Sequence, residues 1–93
     1  MRTIERASAF KRDYKRESKG PHREALKNAF VEIIVALAQD QPLAEKHRDH
    51  TLTGNWMGYR ECHIKPDLLL IYKKSDTEIL RLARLGSHSA LCL

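Results

Sequence analysis

The spacing of apolar residues divides the chain into a helix-forming first half and a strand-forming second half. Between Leu26 and Ala38, apolar side chains recur at the i, i+3, i+4 and i+7 positions that share one face of an α-helix. Val31 and Val35 widen this apolar stripe, which indicates a helix that packs broadly on a flat partner. A β-sheet is the expected partner.

A shorter helix is predicted ahead of that segment. Ser8 is the predicted N-cap, and Phe10 and Tyr14 follow one helical turn apart. The Gly-Pro pair at residues 20–21 ends this helix and opens the next one, since proline suits a first helical turn. Residues 2–6 are compatible with a short first strand.

The second half is predicted to form three strands after a polar loop at residues 44–55. Short polar connections favour antiparallel hairpins between strands at residues 56–64, 68–74 and 79–85. Residues 68–72 are apolar without alternation, so this segment should be the central strand, covered on both faces. Helices followed by an antiparallel sheet indicate an α+β fold, with residues 1–93 as a single domain.

The net charge of +5 arises entirely in the first 27 residues, which carry nine basic and four acidic side chains. Residues 28–93 carry eight of each sign and balance. A basic segment of this kind favours RNA or another polyanion, because each phosphate that is neutralised releases counterions. A solvated helix face, or a surface that meets an acidic protein, explains the charge pattern equally well.

Two features of the composition indicate a cytoplasmic protein. No apolar run approaches the ~20 residues that span a membrane, and the N-terminal residues lack the apolar core of a signal peptide. The two cysteines, Cys62 and Cys92, are too few for a disulfide framework and are expected to remain thiols.

Histidines are the main candidates for chemistry, because imidazole both accepts and donates protons near neutral pH. Taken singly, each candidate has an ordinary structural interpretation as a loop, capping or ion-pairing residue. No Cys-x-x-Cys or His-Glu-x-x-His spacing is present, so no metal site is expected. The candidates at turns and strand ends around the predicted sheet are His47, His50, His63, Asp67, Arg84 and His88.

Several motifs between residues 48 and 91 occur together in an order that resembles the YafQ-like branch of the RelE/ParE toxin superfamily. Their co-occurrence is far more specific than any single histidine. The motifs are Arg48-Asp49-His50, Leu52-x-Gly54-x-Trp56-x-Gly58-x-Arg60, Cys62-His63-Ile64-x-Pro66-Asp67, Leu70-Ile71-Tyr72 and Arg84-x-Gly86-x-His88-x-Ala90-Leu91.

The resemblance implies a pair of N-terminal helices packed on a twisted, mainly antiparallel sheet of about four strands. It also implies cleavage of messenger RNA in the ribosomal A site without a metal ion or other cofactor. The partner that it implies is an antitoxin whose N-terminal half is a ribbon-helix-helix DNA-binding element.

The resemblance further implies a set of catalytic residues, namely His50, His63, Asp67, Arg84 and His88. In RNA cleavage a base removes the proton of the 2′-hydroxyl, a cation stabilises the charged phosphorus intermediate and an acid protonates the departing 5′-oxygen. We expect the base to be His50 or His63, oriented by Asp67. Arg84 is then the stabilising cation and His88 the acid, while His22 and His47 lie outside the site.

The basic first helix is expected to grip ribosomal RNA and to attract an acidic antitoxin segment. The residues predicted for this role are Lys11, Arg12, Lys15 and Arg16. Leu68 and Cys92 stand where the family often has aromatic residues able to stack on bases.

Two other functions remain open at this level. ParE-like members of the superfamily share the fold and inhibit DNA gyrase without nuclease chemistry, and the complete set of five candidate residues argues against that class. A general RNA-binding module that uses only the basic segment is the third interpretation.

Overall fold

The elements follow the apolar periodicity of the chain, and the structure, a computed structural model, describes residues 1–91. The strands are β1 (Thr3–Arg6), β2 (His50–Thr51), β3 (Arg60–Lys65), β4 (Leu68–Ser75) and β5 (Ile79–Gly86). The helices are α1 (Ser8–Glu17), α2 (Arg23–Lys27), α3 (Ala29–Ala38) and α4 (His88–Leu91). None of the helices in this part of the chain is long and apolar enough to cross a membrane.

The five strands form one sheet in the order β1-β5-β4-β3-β2. Neighbouring strands from β2 to β5 are antiparallel, whereas β1 pairs with β5 in parallel. The predicted α+β fold is confirmed. The sheet has five strands rather than about four, because the two-residue strand β2 forms inside the predicted polar loop and extends one edge.

Strand β4 lies in the middle of the sheet and is covered on both faces, as its uninterrupted apolar run predicts. Leu68, Leu70 and Tyr72 belong to the larger core, which the helices cover. Leu69 and Ile71 belong to a smaller cluster, to which the 52–59 loop and α4 contribute. The second face of the sheet is therefore covered by short segments rather than by the long helices.

Three predicted helix boundaries are wrong. Pro21 precedes α2 instead of opening it, since the cap position belongs to His22. Asn28 (φ −119°, ψ −84°) leaves the helical region, so the second predicted helix is divided into α2 and α3. Ser8 begins α1 instead of capping it. The cap position belongs to Ala7, whose carbonyl oxygen accepts a hydrogen bond from the Lys11 amide (3.0 Å).

The start of the strand predicted at residues 56–64 also differs. Residues 54–56 form a 3-10 turn, and Gly58 has a φ of +91°, which L-residues with a side chain rarely adopt. Strand β3 therefore begins at Arg60, and Trp56 lies in the turn that covers the smaller cluster.

Candidate active site

Three histidines from different elements surround the buried carboxylate of Glu61. Glu61 Oε1 lies 3.2 Å from His63 Nε2 and 3.9 Å from His50 Nε2. The rings of His63 and His88 stand beside each other, with their centres 5.5 Å apart. The side chain of Glu61 is 5% exposed and that of His50 51%, so the group opens to solvent at His50. We call these four residues the histidine cluster.

Strand register brings the histidine cluster together. Residues directly opposite each other across an antiparallel pair share a face, and His50 of β2 lies opposite Glu61 of β3. His63 follows Glu61 by two residues and therefore points to the same side of the sheet. His88 reaches the cluster from α4, which begins two residues after β5 ends.

A main-chain carbonyl group decides which ring nitrogen of His50 carries the proton. His50 Nδ1 lies 2.7 Å from the Arg48 carbonyl oxygen, and because a carbonyl only accepts, the Nδ1–H group is the donor. In the neutral ring Nε2 is then unprotonated and able to accept a proton. Arg48 adopts the left-handed conformation (φ +47°, ψ +45°) in presenting this carbonyl.

His63 has the opposite arrangement, because its Nε2 atom faces a carboxylate oxygen and is the donating nitrogen. Its main chain is tied to the preceding turn, where His47 Nδ1–H donates to the His63 carbonyl oxygen (2.8 Å). His47 is therefore a structural residue rather than a solvated loop residue, and it remains outside the histidine cluster.

Arg84 is held by a buried carboxylate on α1. Asp13, which is 3% exposed, accepts hydrogen bonds from Arg84 Nε (2.7 Å), Arg84 Nη2 (3.3 Å), Arg16 Nη1 (3.1 Å) and the Leu85 amide (2.9 Å). Burial acts to raise the pKa of Asp13. The hydrogen bonds from Arg84 and the Leu85 amide, with the two guanidinium charges, outweigh burial and place the pKa below its ordinary value. We call Asp13, Arg16 and Arg84 the arginine anchor.

The arginine anchor adjoins the segment that leads to His88. Arg16 Nη2 donates to the Leu85 carbonyl oxygen (2.9 Å). A Cβ atom at Gly86 would lie 2.8 Å from the same nitrogen, closer than real Cβ contacts, so the absence of a side chain there lets Arg16 approach. Two residues further on, the chain reaches His88.

Asp67 contacts His22 rather than His63. The distance between His22 Nε2 and Asp67 Oδ2 is 3.3 Å, and the Asp67 side chain is 74% exposed on the turn between β3 and β4. The carboxylate beside His63 is that of Glu61. The expected orientation of a histidine base by Asp67 is therefore not seen in this structure, and the catalytic role of Asp67 stays a prediction.

Leu68, one of the two departures from the family's aromatic pattern, is fully buried in the larger core and presents no surface to RNA. The other departure, Cys92, lies outside the described residues. Cys62 is a free, buried thiol as expected, and burial raises the pKa of that thiol.

The four basic residues predicted on the first helix divide into two groups. Lys11, Arg12 and Lys15 are exposed on α1. Arg16 also reaches solvent, but its guanidinium group contacts Asp13, Glu17 and the Leu85 carbonyl. Arg16 therefore belongs to the arginine anchor as well as to the basic helix face.

Sequence reasoning missed both buried carboxylates. Glu61 stands two residues before His63 in a strand, and this spacing was the available indication that the two share a face. Asp13 is an acidic residue within a basic helix, three residues before Arg16. Its partner Arg84 lies 71 residues away, a separation that local pattern cannot bridge.

Glu61, His63 and His88 also form a set with the geometry of a metal site. Each offers one ligand atom, and the three atoms lie within 4.8 Å of one another. Imidazole nitrogens with a carboxylate oxygen suit Cu²⁺ and Zn²⁺. The residues come from a strand and a distant helix, which explains why no metal-binding spacing was visible in the sequence.

Comparisons with known proteins find matches over nearly the whole chain. The family described as "Bacterial toxin of type II toxin-antitoxin system, YafQ" matches residues 2–93. The mRNA interferase toxin YafQ of Escherichia coli K12 is 37% identical over 91 residues, which cover 98% of this chain and 96% of that protein.

Two solved structures are similar over nearly the whole fold. YafQ in the E. coli DinJ-YafQ complex has a TM-score of 0.82 and 37% identity, with 98% of each chain covered. A metal-bound toxin from Helicobacter pylori has a TM-score of 0.84 and 42% identity, covering 98% of this chain and 99% of the other.

Proposed function

The chain belongs to the YafQ family of bacterial toxins from type II toxin-antitoxin systems, and on that premise we propose that it cleaves mRNA on the ribosome by acid-base chemistry at the histidine cluster. It is an endoribonuclease of the mRNA interferase class. Ribosome-bound mRNA is found in the cytoplasm, so we place the toxin there. The observation that carries the proposal is the grouping of His50, His63 and His88 around Glu61. The arginine anchor supports it, because it contacts the segment that leads to His88.

The first step is removal of the proton from the RNA 2′-hydroxyl. We assign it to His50 Nε2, because the Arg48 carbonyl keeps the proton of the neutral ring on Nδ1. The 2′-oxygen then forms a bond to phosphorus while the bond to the 5′-oxygen breaks. His63, with its donating Nε2 on Glu61, orients the carboxylate and adds positive charge when its ring is protonated.

The second step is protonation of the departing 5′-oxygen, which we assign to His88. Arg84 stabilises the negative charge on the oxygens of the pentacoordinate phosphate. Asp13 fixes the plane of the Arg84 guanidinium group by accepting two hydrogen bonds from it. The products carry a 2′,3′-cyclic phosphate and a 5′-hydroxyl. We keep Asp67 as a candidate residue whose exposed carboxylate contacts the substrate rather than a histidine base.

The test uses a translation reaction with purified ribosomes and a defined mRNA. We expect cleavage only when ribosomes are present, and none when the nucleotide at the cut site has a 2′-deoxy sugar. Cleavage of the deoxy substrate would refute the 2′-oxygen mechanism. Intact mRNA together with inhibition of DNA supercoiling would support the ParE-like gyrase inhibitor instead.

The partner that we propose is an antitoxin, since E. coli YafQ is found in a toxin-antitoxin complex with DinJ, and we infer its ribbon-helix-helix type from the family resemblance. A groove of about 470 Å³ between α1, α3 and β1 suits an acidic amphipathic segment of such a protein. Ile4 and Tyr14 expose apolar surface there, while Arg6 and Lys11 supply positive charge. We expect Ile4→Asp to cleave normally but to escape inhibition by the antitoxin, and the control Thr77→Asp, on an exposed turn, to remain inhibited.

A bound divalent metal ion is expected to inhibit this enzyme. The H. pylori relative is a metal-bound toxin, and here an ion on Glu61, His63 and His88 would occupy the groups that hold or transfer protons. We expect Cu²⁺ to lower the cleavage rate and an amount of EDTA equal to the Cu²⁺, far below the Mg²⁺ that the ribosomes need, to restore it. The same small amount of EDTA alone should leave the rate unchanged. Stimulation by the ion would contradict the metal-independent mechanism.

A further inference from the structure

We propose that Asp49, held by Tyr72 and Arg60, is a positioning residue that keeps His50 in the histidine cluster. The inference rests on the proposed function, because it concerns the residue assigned as general base. Asp49 accepts hydrogen bonds from Tyr72 Oη (2.5 Å), Arg60 Nε (3.3 Å) and Arg60 Nη2 (3.2 Å). We call Asp49, Arg60 and Tyr72 the strand brace.

The strand that carries His50 has little to hold it in place. β2 contains only two residues, lies at the edge of the sheet and pairs with β3 alone. Both of its residues are exposed. Edge strands this short fray readily, since few buried contacts and few ladder hydrogen bonds oppose local opening. Some contact beyond the ladder is needed if His50 is to keep a fixed position.

The strand brace supplies that contact from the most rigid part of the fold. Tyr72 lies on the central strand β4 and is 1% exposed, so the position of its ring is set by core packing. Thr51, Arg60 and Tyr72 stand opposite one another on β2, β3 and β4. The strand brace therefore connects the edge strand to the middle of the sheet along these directly opposed residues.

The Tyr72 hydroxyl is a permanent donor in this position. Burial, and then the hydrogen bond to Asp49 with its negative charge, raises the pKa of Tyr72 well above its ordinary value, so the phenol keeps its proton near neutral pH. Arg60 adds a fork of two N–H groups, and the hydrogen bond to Asp49 raises the pKa of Arg60 as well. Asp49 thus has donors of fixed protonation state on two neighbouring strands.

The brace reaches the chemistry through two consecutive peptide units. Asp49 is bonded directly to His50, and Arg48 on its other side presents the carbonyl that holds His50 Nδ1. Anchoring Asp49 therefore fixes both the backbone of His50 and the group that selects its tautomer. A displacement of about 1 Å at a reacting group can cost a hundredfold in rate, so loss of this anchor should be visible in catalysis.

The principal variant is Tyr72→Phe, which keeps the ring in the core and removes only the hydroxyl group. Tyr59→Phe is the matched control, since it removes a phenol hydroxyl from the 52–59 loop, outside the strand brace. Asp49→Asn is the second variant, because it keeps an acceptor oxygen for Tyr72 while removing the charge that Arg60 contacts. Thermal unfolding of each variant reports the loss of stability separately.

Two readouts are needed. The first is the single-turnover cleavage rate on ribosomes, together with the affinity for ribosomes. We expect Tyr72→Phe to lower the rate about tenfold with unchanged ribosome affinity. The second is the ¹⁵N chemical shifts of the His50 ring in the free protein. We expect the wild type to show a single Nδ1–H tautomer and Tyr72→Phe to show a mixture.

The two readouts separate this proposal from the proposed function. The His50 spectrum tests the brace even if the wild type fails to cut mRNA, whereas that failure would remove the proposed function. An unchanged His50 spectrum in Tyr72→Phe would overturn the brace, whether or not the melting temperature fell. A changed spectrum with an unchanged single-turnover rate would also overturn it as a positioning device for catalysis.

Discussion

Asp13 and Glu61 are both nearly buried carboxylates, but Asp13 is paired with arginines and Glu61 with histidines. The side chain of Asp13 is 4% exposed and that of Glu61 5%. Asp13 contacts two arginines and a backbone amide, whereas Glu61 contacts histidines. Within residues 1–91, no buried side-chain nitrogen or oxygen lacks a hydrogen-bond partner. Both carboxylates are therefore fully accommodated, but by groups of different chemistry.

The difference separates fixed charge from mobile protons. A guanidinium group stays protonated at every pH the protein experiences, so the arginine anchor keeps one charge state and one geometry. Histidine gains and loses a proton near neutral pH, so in the mechanism that we propose the histidine cluster changes its charge as the reaction proceeds. The mechanism that we propose uses both kinds of group, because phosphodiester cleavage needs a positive charge to stabilise the phosphate as well as groups that transfer protons.

The largest effect should follow removal of a proton-transferring group. His88→Ala is expected to lower the cleavage rate at least about a hundredfold, because general acid catalysis typically contributes that much or more. Growth arrest on expression should be lost, while the melting temperature changes little because His88 is exposed. The matched control is Ser89→Ala, the next exposed residue of α4. Full toxicity of His88→Ala would show that His88 is not the general acid.

Breaking the arginine anchor should act on stability first. Asp13→Asn is expected to lower the free energy of unfolding by about 1.5–3 kcal/mol, because the partly exposed guanidinium group of Arg84 loses its charged hydrogen-bond partner. Glu61→Gln should lower the free energy of unfolding by less than Asp13→Asn does, because histidine, unlike arginine, can lose its positive charge. Denaturant unfolding of the two variants measures the difference. An equal loss of unfolding free energy in the two variants would show that the kind of partner makes no difference to stability.

Arg16 should differ from its basic neighbours on α1. A variant with Lys11, Arg12 and Lys15 replaced by Glu is expected to lose about tenfold or more in ribosome affinity and to show a shallower salt dependence. Its melting temperature should stay close to that of the wild type, because these side chains are exposed. Arg16→Glu should instead lower the melting temperature, since it places a negative charge against Asp13. Ribosome co-sedimentation and thermal unfolding separate the two results.

The smallest effect should appear in the acid stability of the fold. The pKa of Asp13 is lowered in the folded state, so its stabilising contribution is complete above the unfolded value of 3.8 and is lost as the pH falls through the folded value. Asp13→Asn should therefore flatten the decline in melting temperature below about pH 4. Asp40 is the surface control. Hydrogen bonds from Lys74 and Arg2 lower its pKa to about 2, but it is exposed, so Asp40→Asn should change the decline less.

The sequence predicted the elements whose cause is local. Periodicity from Leu26 to Ala38 located the helical segment that packs on the sheet, and the unbroken apolar run at residues 68–72 located the central strand. These predictions succeeded because burial of a continuous face imposes its pattern on neighbouring residues. The break at Asn28 was missed, and β3 begins four residues later than predicted, since single backbone angles leave little trace in hydrophobic spacing.

The sequence by itself determined which chemical groups are present, the α+β arrangement, and the order of motifs that marks the family. Only the tertiary structure decided which acid meets which base. Asp67, close to His63 in the chain, contacts His22, whereas Glu61 takes the place beside His63 and Asp13 holds Arg84 from 71 residues away. The physical reason is that ion pairs and hydrogen bonds depend on distances of about 3 Å between side-chain atoms. Strand register and helix packing set those distances, and neither is written in local sequence spacing.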